Sequence, residues 1–209
     1  VDFREQILIR LKTARLILRP LEAADAPFTL ALLNDPEYIR FIGDKGARDL
    51  DAARRYIEQG PQRMYAEHGM GLLAVELQSN GAPIGMCGLI RRPVLADVDL
   101  GFALLAPYRS RGYALEASRA VLEHGRRSLG LRRVVAIVVP HNRDSIELLL
   151  RLGMERIESI RLPGDPAELD LYAINLSAAS VAAAPLAAEQ QQRKPDEDHG
   201  NSQPLVGAD

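Results

Sequence analysis

A short basic turn, Tyr108-Arg109-Ser110-Arg111-Gly112-Tyr113-Ala114, constrains this chain more than any other stretch. The apolar residues 98–105 before it read as a strand, and residues 115–123 after it read as a helix. The first amides of a helix have no internal acceptors and lie at the positive end of its dipole. A glycine turn that delivers a strand to such a helix start suits an anion such as pyrophosphate. The same residues also suit a plain turn with a solvated basic face, and local spacing does not choose between the two.

The rest of the chain reads as short alternating elements. Residues 15–19 alternate charge with Leu and Ile, as a half-buried strand does, and stop at Pro20. Residues 22–25 offer a helix start before 28–33, and Asn34-Asp35-Pro36 breaks that helix and can open another. Asp49 or Asp51 can cap a helix running towards His68, ended or kinked at Gly60-Pro61. Residues 72–77 and 83–90 read as strands around the Ser79-Asn80-Gly81 turn, and with 98–105 they make an antiparallel meander.

After the basic turn, Ala117, Val121, Leu122 and Leu129 share one helix face, closed by Gly130. The β-branched run 134–139 predicts a strand buried on both faces. Asp144 or Ser145 can cap a helix over 146–152, stopped by Gly153, and 156–162 with 169–176 form a closing hairpin. Beyond that Ala, Gln, Pro and charge dominate without periodicity. The expectation is one α/β domain over 1–176 and a disordered tail over 177–209.

Composition narrows the class. Apolar residues are 47% of the 209, enough for a core, and the net charge of −2 gives no global field to recruit nucleic acid or an anionic membrane. The single cysteine, Cys87, excludes an internal disulfide and lies in an apolar run, as a buried structural thiol would. No apolar run is long enough to span a bilayer, and the first residues lack a signal pattern. Val1 suggests that the natural start precedes it, and a cytoplasmic location is the default.

Three segments resemble one family. Arg109-Ser110-Arg111-Gly112-Tyr113-Ala114 is similar to the R/Q-x-x-G-x-G/A signature of GNAT acetyltransferases. Asn142-Arg143-Asp144-Ser145, followed by Leu152-Gly153-Met154, resembles their N-x-x-S…L-G-F segment, with Met154 in place of Phe. Thr13-Ala14-Arg15-Leu16-Ile17-Leu18-Arg19 resembles the T-x-R-L-x-L-R opening of the branch that contains the ribosomal-protein N-terminal acetyltransferases. The matches come in the family's order and cover roughly residues 10–176.

The resemblance implies a mixed, mainly antiparallel sheet flanked by helices, with an acetyl-CoA cleft between two splayed strands. It implies acetyl transfer to a primary amine, on a protein N-terminus or a small molecule, by direct attack and without a metal. The alternative is a non-catalytic acyl-CoA-binding module; a homodimer stays open. The implied pyrophosphate contacts are the amides of Arg109, Ser110, Arg111, Gly112, Tyr113 and Ala114, with the two arginine side chains either adding charge or facing water. Asn142 is placed near the pantetheine arm, and an amide among Phe102, Ala103 and Leu104 beside the thioester.

Asp99, two residues before Gly101, matches a frequent acidic position and is the candidate base; pairing with an arginine at a strand end is the other reading. Glu116 reads as a complement to the helix dipole. The family's usual tyrosine acid falls at Leu149, so that route is missing. Ser145 is then a candidate proton donor, or simply a cap.

Overall fold

Hydrophobic alternation lays out the sheet. The computed structural model describes residues 9–164 and 167–177. Its strands are β1 (Leu11–Lys12), β2 (Leu16–Pro20), β3 (Leu72–Leu77), β4 (Pro83–Ile90), β5 (Val98–Leu104), β6 (Arg133–Val138), β7 (Glu155–Arg161) and β8 (Glu168–Asn175). They form one 8-stranded sheet in the order β1-β2-β3-β4-β5-β6-β8-β7. Every neighbouring pair is antiparallel except β5 and β6. Those two run parallel because a helical crossover joins them. The expected meander and closing hairpin are both present. The proposed tail lies outside the described residues, apart from Ser177.

The helices are α1 (Ala26–Leu33), α2 (Pro36–Ile42), α3 (Leu50–Ile57), α4 (Arg63–His68), α5 (Tyr113–Ser128) and α6 (Arg143–Arg151). Asp35 caps α2, its Oδ1 accepting the amides of Glu37 at 3.0 Å and Tyr38 at 3.2 Å. Asp49 caps α3 through the Ala52 amide at 2.7 Å. Caps of this kind contribute about 1 kcal/mol each. Pro61 cannot continue an ordinary helix, and the chain passes it in one wide π turn, Glu58–Gln62, before α4. Helix α6 begins earlier than expected. Asn142, rather than Asp144 or Ser145, is its cap, and Asn142 Oδ1 accepts the Ser145 amide at 3.2 Å.

The sheet separates two apolar layers. On one face Leu115, Ala117, Val121 and Leu122 of α5 and Leu149 of α6 pack on Val98, Leu100 and Leu104 of β5 and on Val134 and Ala136 of β6. On the other, Phe28, Leu32, Leu33, Tyr38 and Ile57 of α1, α2 and α3 cover Ala74 and Met86. Each fully buried Leu or Ile contributes about 1.5–3 kcal/mol by leaving water. Because side chains alternate along β5, Ala103 belongs to the second layer while Phe102 packs on the first. Among the described residues, no helix is long and apolar enough to cross a membrane.

Candidate active site

Strands β5 and β6 pair only at their beginnings, Val98 opposite Val134 and Asp99 opposite Val135. Beyond Asp99 they diverge, while β5 keeps its pairing with β4 as far as Leu104. Leu105 N–H donates to Ile84 O at 2.9 Å. Backbone groups alternate in direction along a strand, so Gly101 and Ala103 face β4. Phe102 and Leu104 therefore turn their N–H groups into the gap left by β6.

The gap leads to the basic turn. Ser110 has a φ of 57° and Gly112 a φ of 77°, and Gly112 precedes α5 without a side-chain cap. Among the described residues, no acceptor meets the amides of Ser110, Arg111, Gly112, Tyr113, Ala114 or Leu115. The first helical bond is Glu116 N–H to Gly112 O at 3.1 Å. A row of unpaired amides at a helix start, curled by left-handed residues, has the chemistry that suits an anion. The Arg111 side chain lies exposed beside it.

The turn is held from outside. Thr13 Oγ1 donates to Glu116 Oε1 at 2.6 Å, and the Arg15 amide to the same oxygen at 2.8 Å. Arg15 Nε donates to Glu116 Oε2 at 2.7 Å and its Nη1 to the Arg111 carbonyl at 3.1 Å. The guanidinium also lies 4.5 Å from the centre of the Tyr113 ring. Burial opposes ionisation of Glu116, but the Thr13 and Arg15 donors outweigh it and hold its carboxyl below the usual range. Glu116 is therefore a cross-chain anchor, a role beyond complementing the dipole. The threonine and arginine were visible in the motif; their partner was not.

Arg109 is turned towards the other side of the sheet. Its Nε donates to the Leu104 carbonyl at 2.9 Å, its Nη1 to Glu37 at 2.6 Å and its Nη2 to Asp35 at 2.5 Å. The guanidinium thus joins the end of β5 to the N-terminus of α2. At the far end of α2, the Phe41 ring lies 5.7 Å from the ring of His141, which follows β6. Helix α2 spans the open end of the gap, tied to the β5 side by ion pairs and touching the β6 side by a ring. Neither Asp35 nor Glu37 carried a sequence signal beyond a helix start.

Asp99 stands where the strands part. Its side chain is 2% exposed, and Arg92 Nε donates to its Oδ2 at 2.6 Å. Oδ1 is buried without a hydrogen-bond partner. Burial pushes the carboxyl above the ordinary value, and Arg92 offsets part of that rise. Asp99 therefore has both features weighed from sequence: an arginine partner and the raised basicity of a desolvated carboxylate.

The remaining predicted residues are spread around this gap. Asn142 uses its carbonyl oxygen as a cap, and the Ser145 amide is the donor it holds. Leu149, where the usual tyrosine acid would fall, is 1% exposed and part of the core. Cys87 is buried, and desolvation pushes its thiol up to about 12, so it stays protonated at neutral pH.

The model of the GNAT acetyltransferase domain matches residues 15–155, and the chain belongs to that family. It is an acetyl-CoA-dependent acetyltransferase by that membership. It is 26% identical over 170 residues to the uncharacterized N-acetyltransferase YoaA of Bacillus subtilis, covering 78% of this chain and 95% of that protein. An acetyltransferase from Agrobacterium tumefaciens superposes with a TM-score of 0.69 at 29% identity, covering 81% of this chain and 95% of that one. The fold is also that of Mycobacterium smegmatis RimJ, solved with a CoA disulfide, at a TM-score of 0.66 and 21% identity over 80% of this chain and 86% of that one.

Proposed function

We propose that the chain transfers the acetyl group of acetyl-CoA to a primary amine, on a small molecule or a protein N-terminus, by direct attack within the gap between β5 and β6. The observation that carries this reading is the row of acceptorless amides from Ser110 to Leu115 beside a sheet opened at Asp99. In this reading the Ser110–Ala114 amides cradle the pyrophosphate, Gly112 permits its close approach, and the Arg111 side chain adds positive charge. Arg109 stands outside the cradle: its amide donates to the Ala106 carbonyl at 3.3 Å and its guanidinium is engaged with Leu104, Asp35 and Glu37.

The co-substrate supplies an activated acyl carbon. The backbone of Phe102, Ala103 and Leu104 lines its path, and the N–H groups of Phe102 and Leu104 are the donors available to a developing oxyanion. Asn142 offers its amide nitrogen to the pantetheine arm, since its oxygen is occupied as a cap. Asp99 takes the proton released by the attacking amine, and its raised basicity suits that role. Ser145 lies at the start of α6 and is the candidate to return a proton to the departing sulfur.

Calorimetric titration with acetyl-CoA tests the cradle, with Gly112→Asp beside the wild type. The aspartate would adopt a strained φ of 77° and put negative charge among the amides. We expect affinity to fall at least about tenfold, or 1.4 kcal/mol. Unchanged affinity in a folded mutant defeats the assignment. Release of free thiol on adding amines then separates transfer from mere acyl-CoA binding.

A further inference from the structure

The two edges of the sheet are unlike. At one edge, β1 pairs over two residues only, Leu11 and Lys12. At the other, β7 is seven residues long, and no further strand lies beyond it among the described residues. A strand packed under one layer buries every second side chain. Strand β7 does not: all of its residues but Ile160 are exposed, so neither of its faces is covered. Ile157 is 47% exposed, and the register with β8 slips beside it, between Arg156 and Glu158. An edge of this length offers its outward amides and carbonyls to another strand.

Charged side chains often guard such an edge, because a row of one sign repels a second copy. Strand β7 carries both signs, in the order Glu155-Arg156-Ile157-Glu158-Ser159-Ile160-Arg161. Arg156 is used within the chain, its Nη2 donating to Ser159 Oγ at 2.7 Å and to Asp170 Oδ1 at 2.6 Å. The side chains of Glu155, Glu158 and Arg161 have no ion pair or hydrogen bond among the described residues. Arg161 stands opposite Glu168 in the register with β8, and even there no ion pair forms. The strand begins acidic and ends basic, so an antiparallel copy laid along it in full overlap meets it with the opposite order of charge.

We propose that β7 is the docking edge for a second copy of this chain, pairing antiparallel with the same strand about a two-fold axis at Glu158. Glu155 then faces Arg161 of the partner subunit, and the symmetry repeats that pair at the other end. Ile157 lies beside Ser159 of the partner subunit and gives up part of its exposure. Glu158 faces its own counterpart, and Arg156 lies diagonal to that pair on the same face of the strand. The like charges at the centre keep the association weak and dependent on concentration. Association of this kind needs neither coenzyme nor acceptor, since the gap between β5 and β6 is separated from this edge by β8.

Sedimentation equilibrium of the full chain tests this. We expect the wild type to pass from monomer to dimer as its concentration rises through roughly 1–100 μM, the range of a small, partly polar interface. Glu155→Arg and Arg161→Glu each turn two attracting cross-strand pairs into repelling ones, and each should raise the dimer Kd at least about tenfold. Mixed in equal amounts, the two variants again set opposite charges against each other at both ends, and the dimer should return as a heterodimer. Both substitutions in one chain should restore the homodimer. A wild type that stays monomeric throughout that range overturns the docking edge. So does a dimer that neither single variant weakens, because it then lies on another surface. Failure of the mixture to recover the dimer that each variant alone has lost overturns it as well.

Discussion

Arg15 and Glu116 form an ion pair across a sequence separation of 101 residues, with Nε 2.7 Å from Oε2. The pair joins the start of β2 to the first turn of α5, and the same guanidinium reaches the Arg111 carbonyl inside the basic turn. A loop that offers its amides to an anion has to hold them aimed while empty, against the entropy of a short flexible segment. Thr13, Arg15 and Glu116 supply that restraint from outside, so none of the free amides is used up in doing so.

Glu116→Gln should therefore weaken coenzyme A binding by about tenfold while leaving the chain folded. The effect also has a pH signature. The folded Glu116 carboxyl lies below its ordinary value of 4.5, so its stabilising contribution is complete above that pH and is lost as pH falls through the folded value. Melting temperatures measured from pH 7 downward should show the wild type and Glu116→Gln converging below pH 4.5. A constant gap across that range would remove the clamp.

Arg109→Gln separates two uses of the guanidinium. If its work is to hold α2 against the end of β5, the acceptor KM should rise by about tenfold while coenzyme A affinity changes little. If it contacts phosphate instead, titration calorimetry will show the reverse. Asp35 argues for the first outcome. Burial resists its ionisation, yet Arg109 and the Tyr38 amide hold its carboxyl below the usual range.

Asp99→Asn should lower turnover by about 100-fold or more with near-normal coenzyme A affinity, the usual scale for losing a positioned base. Burial raises the folded carboxyl, so wild-type activity should climb with pH through a value above 3.8. The asparagine variant should lack that limb. A pH–rate profile unchanged by the substitution removes Asp99 as the base.

Gly88→Ala tests the sheet that carries the site. A Cβ at Gly88 would stand 2.0 Å from the Gly71 carbonyl oxygen and 2.7 Å from the Leu72 Cα. Both are backbone atoms of the chain entering and forming β3, and they cannot turn aside as a side chain can. Chemical denaturation should show a loss of about 3 kcal/mol, at the upper end for overpacking.

Much of the architecture was legible in the residues. The meander, the crossover helix and the closing hairpin follow from alternation, β-branched runs and turn residues, because these act within a few positions of one another. The basic turn could be recognised in the same way, since a strand, a glycine and a helix start are local features. The register between β5 and β6 was not readable. Nothing in residues 98–105 or 134–139 says that pairing stops at Asp99; that depends on how two layers of helices pack on the two strands.

The partners of the charges were likewise decided by the tertiary fold. Arg15, Arg92 and Arg109 look alike in a sequence, as basic residues beside strands and turns. Folding sets one on Glu116, one on Asp99 and one on Asp35 with Glu37. Ion pairing depends on distance and desolvation, and both are fixed only when remote segments meet. The sequence by itself determined which segments are strands and helices and where the basic strand-to-helix turn lies. Only the tertiary structure decided which charges pair with one another.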